Sequence, residues 1–106
     1  MKITLTAARL IVVLFLLQLV IGCGSSKTDI NTDDPQKAFD IAKRKYDKKD
    51  YVDAIEDFSY IKIRFPGTDV SDKVQFYLAS SYFGQREFLL AAYEFDSFLK
   101  NYPLSP

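Results

Sequence analysis

The amino-acid sequence predicts an all-α protein built from about two antiparallel helical hairpins. Four segments downstream of residue 34 place their apolar residues at helical spacing. The sequence also resembles itself at a constant offset of 37 residues, which is typical of a repeat architecture. Outside an apolar N-terminal stretch, apolar residues do not alternate over more than a few positions, so the sequence gives no indication of strands.

The four predicted helices have clear start and stop signals. Asp34 and Pro35 suit the N-cap and first position of the first helix, and Pro66 with Gly67 ends the second. Gly84 is expected to end the third helix as a left-handed C-cap. The expected helices cover about residues 35–48, 51–65, 70–84 and 87–102.

The internal repeat divides this region into two units, 34–68 and 69–106. At the offset of 37, small residues align with small ones, aromatic with aromatic and proline with proline. Two unrelated amphipathic hairpins would not produce so many coincident matches. The matched pairs are Ala42 with Ala79, Ala54 with Ala91, Tyr46 with Phe83, Tyr51 with Phe88, Phe39 with Phe76, Phe58 with Phe95, Asp57 with Glu94, and Pro66 with Pro103.

The N-terminus has the pattern of an export signal. Lys2 and Arg9 are the only charged residues before an apolar run over residues 10–21. That run is shorter than the roughly 20 residues that a membrane-spanning helix needs. A basic start, a short apolar middle and the small residue Gly22 before Cys23 predict a secretory signal over residues 1–22.

The end of this signal resembles the lipobox of bacterial lipoproteins. Residues 19–23 read Leu-Val-Ile-Gly-Cys, and Cys23 is the single cysteine in the chain. The resemblance implies cleavage before Cys23, its modification by diacylglycerol and palmitate, and a flexible tether over residues 24–33. Gly24 is compatible with sorting to the outer membrane. An ordinary signal peptide or a short membrane anchor, with an incidental cysteine, is the alternative.

The composition argues against enzymes, metal sites and nucleic-acid binding. The chain has 14 basic and 14 acidic residues, so it lacks the basic excess of nucleic-acid-binding proteins. It has no histidine, no Gly-rich phosphate loop and no free thiol once Cys23 is acylated. No catalytic residue, metal ligand or cofactor is therefore predicted. The acidic pair at 56–57 and the basic run at 43–45 and 48–49 are interpreted as solvated helix faces.

The repeat resembles the tetratricopeptide repeat, with small residues where two helices would cross closely. Its period exceeds the usual value of roughly 34 residues, and Ala38 and Gln75 replace the consensus tryptophan. A lipobox, a polar tether and repeats with aromatic–proline ends resemble the BamD-type lipoproteins of outer-membrane β-barrel assembly. Residues 65–88 look most like Bacteroidetes members. The resemblance covers the whole chain and implies hairpins stacked as the start of a right-handed solenoid.

This resemblance implies a non-enzymatic scaffold that is lipid-anchored at the outer membrane and faces the periplasm. Its expected partners are the barrel-forming BamA-type subunit, other components of the assembly machinery, and nascent outer-membrane proteins with their C-terminal signal. Another tetratricopeptide lipoprotein or a periplasmic adaptor, of the pilus-assembly or Tol-Pal type, is the alternative. An accessory domain of an enzyme is a third interpretation.

The resemblance also places ligand contacts on the first helix of each unit, which lines the concave side. Aromatic and polar residues follow each other there at i, i+4 and i+7, so they share a stripe. Such a stripe would hold an extended peptide with an aromatic end. Packing between adjacent hairpins is an equally supported role for the aromatic rings. The predicted contact residues are Phe39, Lys43, Tyr46, Lys73, Phe76, Ser80 and Phe83.

Residues 103–106 align with residues 66–69, the turn that leads into the next unit. Repeat arrays need about three units or more for stability. The sequence is therefore expected to be an N-terminal fragment or a truncated product with an exposed second-unit face.

Overall fold

The computed structural model describes residues 2–18 and 28–106. Within these ranges the structure contains helices and no strand. The helices are α1 (Lys2–Gln18), α2 (Pro35–Asp47), α3 (Tyr51–Arg64), α4 (Ser71–Gly84) and α5 (Phe88–Asn101).

Helices α2 to α5 form two stacked hairpins, which confirms the predicted fold class. Helix α2 packs on α3, and α4 packs on α5. The two hairpins join because α3 packs on α4 and α2 also contacts α4. The first helices of the two units therefore lie side by side, as in a tetratricopeptide array.

Helix α1 stands apart from the hairpins and contacts none of the other described helices. Its side chains from residue 4 to residue 16 are exposed. Among the residues that the structure describes, no helix has the length and apolarity needed to cross a membrane. Cys23 and the predicted cleavage site lie outside the described residues.

The start of α2 is capped as its sequence predicts. The Asp34 carboxylate accepts hydrogen bonds from the backbone N–H groups of Gln36, at 2.9 Å, and of Lys37, at 3.4 Å. Pro35 occupies the first helical turn, where its missing N–H costs nothing. The helix therefore begins where the N-terminal backbone donors first find a side-chain acceptor.

The prediction that Gly84 is a left-handed C-cap is wrong. The left-handed residues that follow α2 and α4 are Lys49 and Arg86, each with φ of 64°. The N–H of Lys49 donates to the Tyr46 carbonyl, and the next N–H reaches one residue further back, to Lys45. The same pair of bonds recurs at Arg86, so both helices end in a Schellman motif with a basic residue at the position where glycine is usual.

Gly84 is instead required by close packing between the two units. A Cβ atom on Gly84 would lie 2.5 Å from Cζ of Tyr51 and 2.7 Å from both Cε atoms. Tyr51 begins α3, so its ring fills the space that the missing Cβ leaves on α4. This contact joins the first unit to the second.

The alanines that the repeat aligns lie where helices cross. Ala42, Ala54 and Ala79 are fully buried, and Ala91 is 2% exposed. Larger side chains there would separate the helices, so the core is filled from neighbouring positions. Those filling the core are Phe39, Phe58, Ile61, Phe65, Val74 and Leu78.

Residues 28–33, which were predicted to belong to the flexible tether, lie against the first hairpin. Ile30 is only 8% exposed and joins the hydrophobic core. Asp29 lies 3.3 Å from the Lys45 ammonium, and Asp33 lies 3.4 Å from the Arg64 guanidinium. We call residues 28–33 the strap. It covers the outer side of the first unit, as a terminal cap must do in a repeat array.

Candidate binding surface

The predicted contact residues of the first unit lie at its junction with the second. Phe39 is 7% exposed, and its ring centroid lies 6.0 Å from that of Phe58. Tyr46 is half-buried and packs edge-on against Tyr51, with ring centroids 5.7 Å apart. Phe39 therefore supports the surface from beneath, whereas Tyr46 reaches it.

Tyr77 on α4 is the centre of this region, and the sequence comparison missed it. Its ring lies 5.0 Å from Tyr46, 5.3 Å from Phe76 and 5.8 Å from Phe39, measured between centroids. At the repeat offset Tyr77 aligns with Asp40, so no aromatic match drew attention to it. Its helical spacing relative to Val74 and Leu78 was the one available signal.

Lys43 places a cation over this aromatic cluster. Its Nζ lies 5.0 Å from the Tyr77 ring centroid and 5.7 Å from that of Tyr46, within cation–π range. The ammonium also donates to Asp47 at 2.6 Å. This hydrogen bond raises the pKa of Lys43, and the smaller effect of burial, which lowers it, is outweighed. Lys43 therefore stays charged and is held in place.

The predicted contact residues of the second unit are more open to solvent. Phe76 is 40% exposed and Phe83 is 59% exposed, while Lys73 is also exposed. Ser80 is half-buried, and its hydroxyl donates to the Phe76 carbonyl at 2.9 Å. Phe83 packs only on Phe88 among the aromatic rings, at 5.4 Å, as Tyr46 packs on Tyr51 in the first unit.

A shallow cavity adjoins this part of α4. It has a volume of about 350 Å³ and is lined by Lys73, Phe76, Tyr77 and Phe98, with Ser105 and Pro106 at its edge. The Ser105 hydroxyl donates to the Asp72 carboxylate at 2.8 Å, which holds residues 105–106 there. The structure thus joins Lys43, Tyr46, Tyr77, Phe76 and Lys73 into one continuous surface across α2 and α4, which we call the α2–α4 surface.

The prediction that Asp57 lies on a solvated helix face is wrong. Asp57 is fully buried, and its carboxylate lies 2.7 Å from the Lys45 ammonium. Burial lowers the pKa of Lys45, but hydrogen bonds and charge from Asp57 and Asp29 outweigh this and raise it. Lys45 thus links the strap to α3, and the interpretation of Lys45 as solvated is also wrong.

Glu94 occupies the equivalent place in the second unit. It accepts a hydrogen bond from the Gln75 side chain at 2.6 Å and lies 3.1 Å from the Lys62 ammonium. Lys62 is on α3 and Glu94 is on α5, so this pair links the two units. Both carboxylates therefore hold helices together. Among the described residues, no group of three or more His, Cys, Asp or Glu side chains is arranged to hold a metal ion.

No curated protein matches the chain at a significant level. The family model YfiO, described as outer membrane lipoprotein, matches residues 31–106. This range includes both hairpins and the end of the strap, and it covers well over half of the chain. The chain therefore belongs to the YfiO family of outer membrane lipoproteins.

Proposed function

We propose that this protein is a non-enzymatic, lipid-anchored scaffold of the outer-membrane β-barrel assembly machinery, similar to the Bacteroidetes members of its family. It binds the barrel-forming BamA-type subunit, other components of the machinery and nascent outer-membrane proteins. The observation that carries the proposal is the family match over residues 31–106, which contain the whole α2–α4 surface.

The anchor in this proposal is Cys23. Acylation of its thiol and α-amino group supplies more than the two membrane signals that stable attachment requires. The protein is then held at the inner leaflet of the outer membrane, and its hairpins face the periplasm. Labelling with a palmitate analogue tests this point, with Cys23→Ser as the control. Label retained by that variant would contradict the proposed anchor.

The α2–α4 surface is suited to an extended peptide with an aromatic end. Tyr46, Tyr77 and Phe76 offer ring faces and edges for an apolar side chain. The Lys43 ammonium lies over the Tyr77 ring and Lys73 lines the adjoining cavity, and both cations suit a terminal carboxylate. Asp57 and Glu94 form ion pairs between helices, so they stabilise the scaffold that carries this surface.

Fluorescence anisotropy with a labelled peptide tests this surface. The peptide should be extended and end in an aromatic residue with a free carboxylate. We expect Phe76→Ala to weaken binding by about tenfold or more, the effect of losing one aromatic anchor. Ile63→Ala is the matched control, because Ile63 is an exposed apolar residue of α3, 81% exposed and outside the surface. Equal affinity of both variants would contradict the proposed site.

A further inference from the structure

We propose that the two hairpin turns form a surface that rests on the anionic lipid headgroups of the membrane in which Cys23 is anchored. This inference rests on the proposed lipid anchor and adds the orientation of the protein at the membrane. We call residues 48–52 and 85–89, which connect α2 to α3 and α4 to α5, the tip surface.

The strap directs the chain toward this surface. Asp33 pairs with Arg64 at the end of α3, and Asp29 pairs with Lys45 near the end of α2. Helices α2 and α3 are antiparallel, so the strap runs along the hairpin with Thr28 toward the turn after Asp47. Only four residues separate Cys23 from Thr28, so the Cα atoms of these two residues are at most about 18 Å apart. The docked strap therefore keeps the tip surface close to the lipid.

The two turns present the same side chains. Lys49 and Arg86 are matched by the repeat, exposed, and both left-handed with φ of 64°. A glycine adopts this conformation more readily, so each turn carries a cation in place of the residue that the backbone favours. Gln85 lines the same shallow cavity as Lys49, which shows that the two turns are neighbours.

Each turn also exposes an aliphatic side chain at matched positions. Val52 is 53% exposed and Leu89 is 85% exposed. Val52 remains exposed although the second unit is packed on the first, so stacking of units does not cover this position. By contrast, Tyr51 is half-buried and packs against Gly84 of the second unit, so a following unit would cover its match Phe88 in the same way.

The chemistry of the tip surface fits a headgroup layer. Aliphatic side chains enter the boundary between headgroups and acyl chains, while nearby lysine and arginine side chains bind lipid phosphates. Lys48, Lys49 and Arg86 supply three cations. The carboxylates of Asp50 and Glu87 offset two of them, so the tip surface keeps a net charge of +1.

Single-tryptophan variants of the full-length, lipidated protein test this orientation, because the chain has no tryptophan of its own. Val52→Trp and Leu89→Trp report on the tip surface. Ile63→Trp is the matched control, an exposed apolar position near the other end of α3. Each variant is reconstituted in vesicles of phosphatidylethanolamine and phosphatidylglycerol, with lipids brominated high on the acyl chains as quenchers.

We expect loss and blue shift of emission for the tryptophans at 52 and 89, and neither for the tryptophan at 63. Equal quenching at all three positions, or none at any of them, would overturn the inference. The contribution of charge is tested by adding Lys48→Glu and Lys49→Glu to the Val52→Trp variant, which should reduce quenching of the tryptophan at 52. Lys37→Glu, at the other end of the hairpin, is the control and should leave that quenching unchanged. Unchanged quenching after the tip charge reversal would overturn the role of anionic lipid.

The failure of this inference is distinguishable from that of the proposed function. Mass spectrometry of the same preparation establishes whether Cys23 carries lipid. A lipidated protein without quenching at 52 and 89 refutes only the orientation. A membrane-derived protein without lipid on Cys23 refutes the anchor, and the orientation with it.

Discussion

Replacement of Gly84 by alanine tests how the two units are joined. In an isolated helix the change would be favourable by up to about 1 kcal/mol, since alanine is the better helix former. Here the added Cβ would lie 2.5 Å from Cζ of Tyr51, closer than two carbon atoms can approach. Either the Tyr51 ring or the whole second unit must shift. Such overpacking costs about 1–3 kcal/mol, so we expect Gly84→Ala to destabilise the protein by about 1–2 kcal/mol.

A double-mutant cycle with Tyr51→Ala separates this steric effect from helix propensity. Without the ring, the Cβ of alanine at position 84 has free space, and Gly84→Ala should become neutral or slightly stabilising. The difference between the two backgrounds is a coupling free energy of about 2 kcal/mol, within the range found for residues in contact. Urea denaturation followed by circular dichroism, on a chain without residues 1–22 and with Cys23→Ser, measures all four unfolding free energies.

Two results would refute this reasoning. One is a Gly84→Ala variant as stable as the parent while Tyr51 is present. The other is the same change in stability in both backgrounds, which would show that the tyrosine ring does not press on α4. Either result would mean that the two units are not joined by this contact.

Four further predictions concern the first unit. Lys45→Met leaves the Asp57 carboxylate buried without its partner. It should lower the free energy of unfolding, measured by urea denaturation, by about 3–5 kcal/mol, and adding Asp57→Leu should restore much of that loss. A double variant as unstable as Lys45→Met would contradict the stabilising role of the ion pair. Because the pKa of Lys45 is raised in the folded protein, its stabilisation is complete below the ordinary lysine value of 10.5 and is lost as pH rises through and beyond it. Stability of the parent should therefore fall more steeply there than that of the double variant, and parallel curves would be inconsistent with the raised pKa. Lys49→Gly removes the backbone strain of a lysine in the left-handed conformation. It should stabilise the protein by about 0.5–1 kcal/mol and raise its melting temperature. A lower melting temperature would argue against strain at this position. Ile30→Ala removes the buried side chain of the strap. It should lower the free energy of unfolding by about 2–3 kcal/mol and speed amide hydrogen exchange at residues 28–33. Unchanged exchange would show that the strap is not docked.

The sequence was sufficient to predict the helices because their boundaries depend on local chemistry. Asp34 with Pro35 starts α2, and Pro66 with Gly67 follows α3, within one residue of the predicted positions. The repeat offset then predicted which helices pair, since the aligned alanines mark where helices cross. These signals need no knowledge of distant contacts.

The features that the sequence did not predict all depend on residues brought together by the fold. Gly84 was interpreted through its neighbours in the chain, although the tyrosine that requires it begins a different helix. Tyr77 joins the two halves of the α2–α4 surface, yet it has no aromatic match in the first unit. Lys45 and Asp57 look like ordinary surface charges until α2 and α3 pack together. Local periodicity cannot indicate such pairs.

The stripe of aromatic and polar residues on the first helix of each unit predicted part of the α2–α4 surface. Spacing placed Lys43 with Tyr46, and Phe76 with Ser80, on common faces, and the structure agrees. The degree of burial was not predictable, because it depends on what the second unit covers. Phe39 is therefore buried while its match Phe76 is half open to solvent.

Co-purification from outer membranes tests the central claim most directly. The full-length protein, extracted in mild detergent, should recover the barrel-forming subunit of the outer-membrane assembly machinery in stoichiometric yield. Absence of that subunit, or recovery of pilus-assembly or Tol-Pal proteins in its place, would contradict the proposal that this lipoprotein is a scaffold for β-barrel assembly.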